Sequence, residues 1–202
     1  MTPVTYRGSM TATAATKPCA ILISGAPGTG KSTLAAALAP RLGAAVLDLD
    51  VATGPLTEVV AGLLGVRDLG DPRLARLTRG PRYETLLTLA EDNLRAGVPV
   101  VLVAPFTTER STDGWRTVVD RLGSHAAALA LVWLHLPPRE LVARLTRRDA
   151  ARDEDKVREP AAYLAGLDRE PPAAPHLALD ARTPTADLAD QVVAHLAPVG
   201  PR

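Results

Sequence analysis

The chain has 202 residues, enough for one well-buried domain and tight for two. Hydrophobic residues make up 47% and aromatics only 3%, so alanine, leucine and valine must build the core; a net charge of +1 argues against a dedicated nucleic-acid surface. A single cysteine, Cys19, excludes an internal disulfide and a multi-cysteine metal cluster.

In chain order, residues 1 to 17 are rich in Thr and Ala without periodicity and read as a mobile tail, with Met10 an alternative start. They lack an apolar signal-peptide core, and no run reaches the length of a membrane span, so the chain reads as cytoplasmic, with no membrane partner. "CAILIS" (19–24) has the character of a buried strand, and "KSTLAAALAPRL" (31–42) that of a helix. "AAVLDLDV" (44–51) reads as a second strand. Residues 54 to 80 mix Gly, Pro and charge, which predicts short helices. "RYETLLTLAEDNLRAG" (82–97) places Leu86, Leu87, Leu89, Ala90 and Leu94 near one helical stripe, stopped at Gly97.

Strands follow at 98–105, 128–136 and 176–181, and helices at 113–123, 139–148 and 185–196. Residues 149 to 158 between them are almost wholly polar. Strands that are apolar throughout and alternate with helices predict a three-layer α/β domain over 18–198, with a mainly parallel sheet covered on both faces.

Between the first strand and the first helix stands "GAPGTGKST": Gly25, Ala26, Pro27, Gly28, Thr29, Gly30, Lys31, Ser32 and Thr33. Gly25, Gly30, Lys31 and Ser32 fit G-x-x-x-x-G-K-[ST], the phosphate-binding (P-loop, Walker A) pattern. A polyphosphate packs its oxygens against backbone N–H groups, so side chains must be absent where the chain wraps it. The helix N-terminus favours the anion, Lys31 adds a full positive charge, and Ser32 offers a hydroxyl to Mg²⁺. Only three of the 23 basic residues are lysines (Lys17, Lys31, Lys156), and none follows an asparagine, so a guanine-selective N-K-x-D segment is absent. The acidic pair of ring ATPases and the signature of transporters are absent as well. A compact kinase of small molecules remains.

The chain resembles the small P-loop kinases of the nucleoside-monophosphate-kinase type, and among them the branch of AAA-type ATP-binding proteins that includes gluconate kinase, chloramphenicol phosphotransferase and the zeta-toxin kinases. "GAPGTGKST", "LDLDV", "VVLVAPF", the run from "VWLHLPPRELVARLTRR" to "DAARDEDK", and "LALDARTP" carry the resemblance. It implies a five-stranded parallel sheet in the order 2-3-1-4-5, and a small lid.

Asp48 and Asp50, two apart at the end of the second strand, would share a face beside the loop. Phosphoryl transfer needs one carboxylate near Mg²⁺ and one to orient or deprotonate the attacking hydroxyl. Asp50 is the expected base, and Asp48 the expected metal support. Relatives often carry an aspartate where Val103 stands here, which shifts weight to Asp48.

The resemblance also implies a lid whose arginines neutralise the transferred group: Arg144 and Arg148, with Arg152 beyond them, Arg148 being the expected catalytic cation. Arg79 and Arg82 would suit an anionic acceptor, Phe106 would line its pocket, and Arg182 and Pro184 would belong to the loop that cups adenine. The four histidines are scattered and read as structural. The expected activity is transfer of the γ-phosphate of ATP, with Mg²⁺, to a hydroxyl of a small acceptor by a monomer or homodimer. The alternatives are a nucleotide kinase with a phosphate acceptor and an ATP-binding regulatory switch.

Overall fold

The computed structural model describes residues 17–148, 157–167 and 170–196, and Arg148 by its backbone alone. Residues 1–16, Arg152 and Lys156 lie outside the described residues, as does most of the polar run 149–158.

Five strands, β1 (Cys19–Gly25), β2 (Ala45–Asp48), β3 (Val100–Val103), β4 (Ala128–His135) and β5 (Leu177–Asp180), form one parallel sheet in the order β2-β3-β1-β4-β5. Along β1 the side chains alternate between two cores. Ala20 and Leu22 join Val100, Leu102 and Leu131 on one face. Ile21 and Ile23 join Val101, Val103, Val132 and Leu134 on the other. The first face is covered by α3 (Pro72–Arg95) and α4 (Thr112–Leu122), through residues such as Leu86, Ala90, Leu94, Val118 and Leu122. The second is covered by α1 (Lys31–Leu42) and α7 (Thr185–Leu196), through Leu34, Leu38, Leu188 and Val192. Burial on both faces explains why the strands are apolar throughout. No helix among the described residues is long and apolar enough to cross a membrane.

Two segments differ from the sequence expectation. β2 stops at Asp48, and Leu49 already begins α2 (Leu49–Leu64), so Asp50 lies in a helical first turn and not on the strand. The "short helices" of 54–80 are two long ones: α2 runs to Leu64, and α3 starts at Pro72, ten residues before the predicted point. Pro72 stands in the first turn, where its missing N–H costs nothing, and Asp71 caps the helix by accepting from the Arg73 and Leu74 amides. α2 turns Leu49, Thr53, Thr57 and Ala61 inward and leaves Val51, Leu56, Val59 and Leu63 exposed. The buried hydroxyls are satisfied within the helices: Thr53 donates to the Leu49 carbonyl, Thr57 to that of Thr53, and Thr78 of α3 to that of Leu74. Small threonines let α2 lie close against α3.

Two further helices, α5 (Pro138–Arg148) and α6 (Pro160–Gly166), sit over the carboxyl end of the sheet near the glycine loop.

Candidate active site

The chain from 25 to 30 has to turn from β1 into α1 at the sheet's carboxyl end. Gly25 holds φ +144°, and a Cβ there would stand 2.4 Å from the Leu134 carbonyl oxygen of β4. Gly28 holds φ +89°, with α5 so close that a Cβ would meet the Leu145 side chain at 3.0 Å. Both positions require glycine, for conformation and for space. The buried Thr29 hydroxyl donates to the Ala26 carbonyl at 2.9 Å and pins the turn. The Lys31 ammonium donates to the carbonyls of Gly25 (2.8 Å) and Ala26 (3.1 Å), which holds it within the loop. α1 starts at Lys31, so its unpaired first-turn amides face the same place.

The second strand meets this loop through Asp48. Its Oδ2 accepts from the Ser32 hydroxyl at 2.9 Å, and its Oδ1 accepts from the Asp50 amide at 2.9 Å as the N-cap of α2. One carboxylate therefore ties the loop to α2. The Asp50 carboxylate is 68% exposed and receives Arg82 Nη2 at 2.6 Å, while Arg82 Nε donates to the Thr53 hydroxyl at 2.8 Å. Ser32, Asp48, Asp50 and Arg82 line one cleft of about 570 Å³. Gly28, Gly30, Lys31, Ser32 and Thr33 form one end of it. Leu69, Ala75, Thr78, Arg79, Arg82 and Tyr83, where α3 faces α2 and the connecting loop, form the other, and Asp48 and Asp50 stand between.

Behind the far end lies a group that the sequence reading missed. Glu109, only 9% exposed, accepts from Arg79 Nη2 at 3.1 and 3.3 Å. The same Arg79 nitrogen reaches the Thr107 hydroxyl at 3.4 Å, and the guanidinium lies 4.3 Å from the centre of the Tyr83 ring. The Tyr83 hydroxyl accepts the Phe106 amide at 3.0 Å. Burial, and after it the Glu109 carboxylate, pushes the Tyr83 phenol up to about 12. Phe106 itself does not line the cleft. Its side chain is fully buried, packed edge-on to Tyr83 at 5.9 Å, and its φ of 50° turns the chain after β3. Its place is the core beneath the pocket wall, because the ring closes the gap between α3 and the sheet.

On the other side of the loop, Gly28, Gly30 and Thr33 share a more open recess of about 420 Å³ with Arg144 and Arg147 of α5. Arg144 donates to the Ala181 carbonyl at 2.7 Å, joining α5 to the loop after β5. Arg182, in that loop, is gripped by Asp180, whose carboxyl its hydrogen bonds hold down at about 2. Pro184 is exposed beside it. Tyr163 of α6 donates to the Pro27 carbonyl at 3.2 Å, a second tie between the helices and the loop. The Arg148 side chain and Arg152 are not among the described groups.

The oxygens of Ser32 and Asp48 are hard donors beside the loop, the chemistry that Mg²⁺ accepts when phosphates and waters complete its shell. Among the described residues no group of three or more His, Cys, Asp or Glu side chains could hold a metal by itself. The residues present therefore fit a cation shared with a polyphosphate, rather than an all-protein cage.

Residues 21–169 match the family described as an AAA domain. No curated protein matches the sequence. Solved structures share the fold. A sugar kinase from Janibacter sp. HTCC2649 is 19% identical, with 90% of this chain and 96% of that one covered at a TM-score of 0.62. A gluconokinase from Sinorhizobium meliloti 1021 is 22% identical, with 89% and 92% covered at 0.55. The APS kinase of Mycobacterium tuberculosis, solved with AMPPNP and APS, is 18% identical, with 88% and 96% covered at 0.61. With its match running over most of the domain, the chain belongs to the AAA domain family, built on the fold that small P-loop kinases share.

Proposed function

We propose that the protein transfers the γ-phosphate of ATP to a hydroxyl of a small-molecule acceptor. The observation that carries this is the single cleft in which the Lys31 loop and the Asp50 carboxylate face each other, joined by the Ser32–Asp48 hydrogen bond. Loop amides and Lys31 bind the triphosphate, and the recess beside Arg144 takes the nucleotide end, with the Arg182–Pro184 loop at its edge. Mg²⁺, held by Ser32 with Asp48 in support, would neutralise charge on the phosphate oxygens. Asp50 orients the acceptor hydroxyl toward the γ-phosphorus. A new O–P bond forms as the β–γ bridge breaks, ADP leaves, and the hydroxyl proton passes to Asp50 and on to solvent. Arginines of α5 and of the segment after it, Arg148 and Arg152 included, supply positive charge as the transferred group moves.

Solved kinases of this fold act on a sugar, on gluconate and on APS, as their names state, which favours a small acceptor over a macromolecular one. The test is ADP release from ATP with a panel of sugars, antibiotics, nucleosides and nucleoside monophosphates. At least one hydroxyl acceptor should stimulate release, Lys31→Ala should abolish it, and Asp50→Asn should lower kcat by about 10²- to 10⁴-fold while sparing ATP affinity. Release that no acceptor stimulates would favour the regulatory switch. Stimulation only by monophosphates, with Asp50→Asn tolerated, would favour the nucleotide kinase.

A further inference from the structure

The far end of the cleft carries two guanidinium groups, from Arg79 and Arg82, and both are already answered by carboxylates of this chain. Arg79 is held by Glu109, and Arg82 by Asp50. Within these two pairs the positive and negative charges cancel. We infer that the acceptor is an uncharged, hydroxyl-bearing molecule with an apolar face, and that Glu109 sets this preference by occupying Arg79. The inference rests on the kinase reading above and names its substrate class, against the sequence expectation of an anionic acceptor.

The two pairs resist an anionic ligand for different reasons. Glu109 is only 9% exposed. A ligand carboxylate that took Arg79 Nη2 would strand the Glu109 charge away from water and without its partner, and one on the other N–H groups of Arg79 would bring a second negative charge to the guanidinium that Glu109 already neutralises. Asp50 is exposed and would release Arg82 more easily. An anion on Arg82, however, would stand beside the carboxylates of Asp50 and Asp48, which are joined through the Asp50 amide. Like charges there repel, and the hydroxyl-orienting group would be displaced by the ligand it has to orient. A neutral polyol meets neither penalty. The Thr107 hydroxyl and the edges of the two guanidinium groups offer it hydrogen bonds, while Leu69 and Ala75 offer an apolar wall. Arg79 and Arg82 then act as neutralised, rigid hydrogen-bonding platforms.

The experiment compares glucose with gluconate, two six-carbon polyhydroxy compounds of similar size, one neutral and one carrying a carboxylate at C1. Calorimetric titrations into the AMPPNP-loaded wild-type protein and into Glu109→Gln need no turnover. Wild type should show no saturable gluconate site below tens of millimolar, and glucose should bind no more weakly than gluconate. Glu109→Gln frees Arg79 and should tighten gluconate by about tenfold or more, leaving glucose unchanged. Sub-millimolar gluconate binding by wild type, or a Glu109→Gln variant that gains nothing for gluconate, overturns the inference. If Glu109→Gln does not fold, the wild-type titration decides alone. Failure of the kinase reading looks different: no compound, neutral or charged, would stimulate ADP release, whatever these titrations show.

Discussion

Asp48 does two jobs with its two oxygens, and substitution should separate them. Oδ1 caps α2 through the Asp50 amide, and Oδ2 holds the Ser32 hydroxyl, both at 2.9 Å. Asp48→Ala removes both. Loss of an N-cap costs about 1 kcal/mol, and the hydrogen bond to Ser32, an exposed residue that water can serve, adds at most about as much again. The sum is about 1 to 2 kcal/mol, a fall in Tm of about 3 to 6 °C for a domain of this size. Asp48→Asn keeps one acceptor oxygen for the cap, and its N–H₂ group can donate to the Ser32 hydroxyl in place of the present bond; asparagine caps as well as aspartate, so its stability should stay within about 0.5 kcal/mol of wild type. Charge is lost in both variants. If Asp48 supports a cation beside Ser32, both should raise the Mg²⁺ concentration needed for half-maximal ADP release by about 10- to 100-fold. Urea unfolding and a Mg²⁺ titration of turnover read the two effects apart. An Asp48→Asn variant as unstable as Asp48→Ala would refute the capping argument, and an unchanged Mg²⁺ requirement in both would refute the metal argument.

Other outcomes follow from single contacts. Gly25→Ala places a Cβ 2.4 Å from a backbone oxygen at a φ open to glycine and should cost about 3 kcal/mol or more, with loss of AMPPNP binding. Gly43→Ala, at φ +60° with nothing within 4 Å, should cost only about 1 to 2 kcal/mol and leave AMPPNP binding intact; equal losses in urea midpoint would contradict this account of the loop. The Tyr83 phenol sits at about 12 against an ordinary 10.0, raised first by burial. The unfolded chain therefore releases this proton first. The stabilisation is complete below pH 10 and disappears as pH climbs to 12, by about 2 to 3 kcal/mol. Tyr83→Phe should lack that alkaline loss in urea unfolding, and parallel curves for the two proteins would sink the argument.

The sheet, its order and α1 were legible because their signals are local or supplied by the resemblance: an apolar run, a glycine turn, then a helix whose bounds match the reading at Lys31 and Leu42. α2 and the start of α3 were not. In α2 the residues that face inward after Leu49 are Thr53, Thr57 and Ala61, while Val51, Leu56, Val59 and Leu63 face out, so hydrophobic periodicity points to the wrong side. The Gly and Pro content of 54–80 sets the expected start of α3 at 82, yet Leu74 and Thr78 are buried ahead of Pro81, and tertiary packing carries the helix through. The same error put Asp50 on a strand. Its position near the loop was legible all the same, because a strand end and the helix that caps on it both lie at the carboxyl edge of the sheet. Glu109 had no sequence signal at all. It is one acid in a polar loop, and only the fold buries it against Arg79.

A crystal structure with AMPPNP, Mg²⁺ and an acceptor that stimulates ADP release tests the central claim most directly. The account predicts the γ-phosphate against Lys31 and the first-turn amides of α1, with the acceptor hydroxyl hydrogen-bonded to Asp50 and in line with the β–γ bridge. A triphosphate bound elsewhere, or an acceptor hydroxyl that reaches the γ-phosphate without touching Asp50, would contradict it.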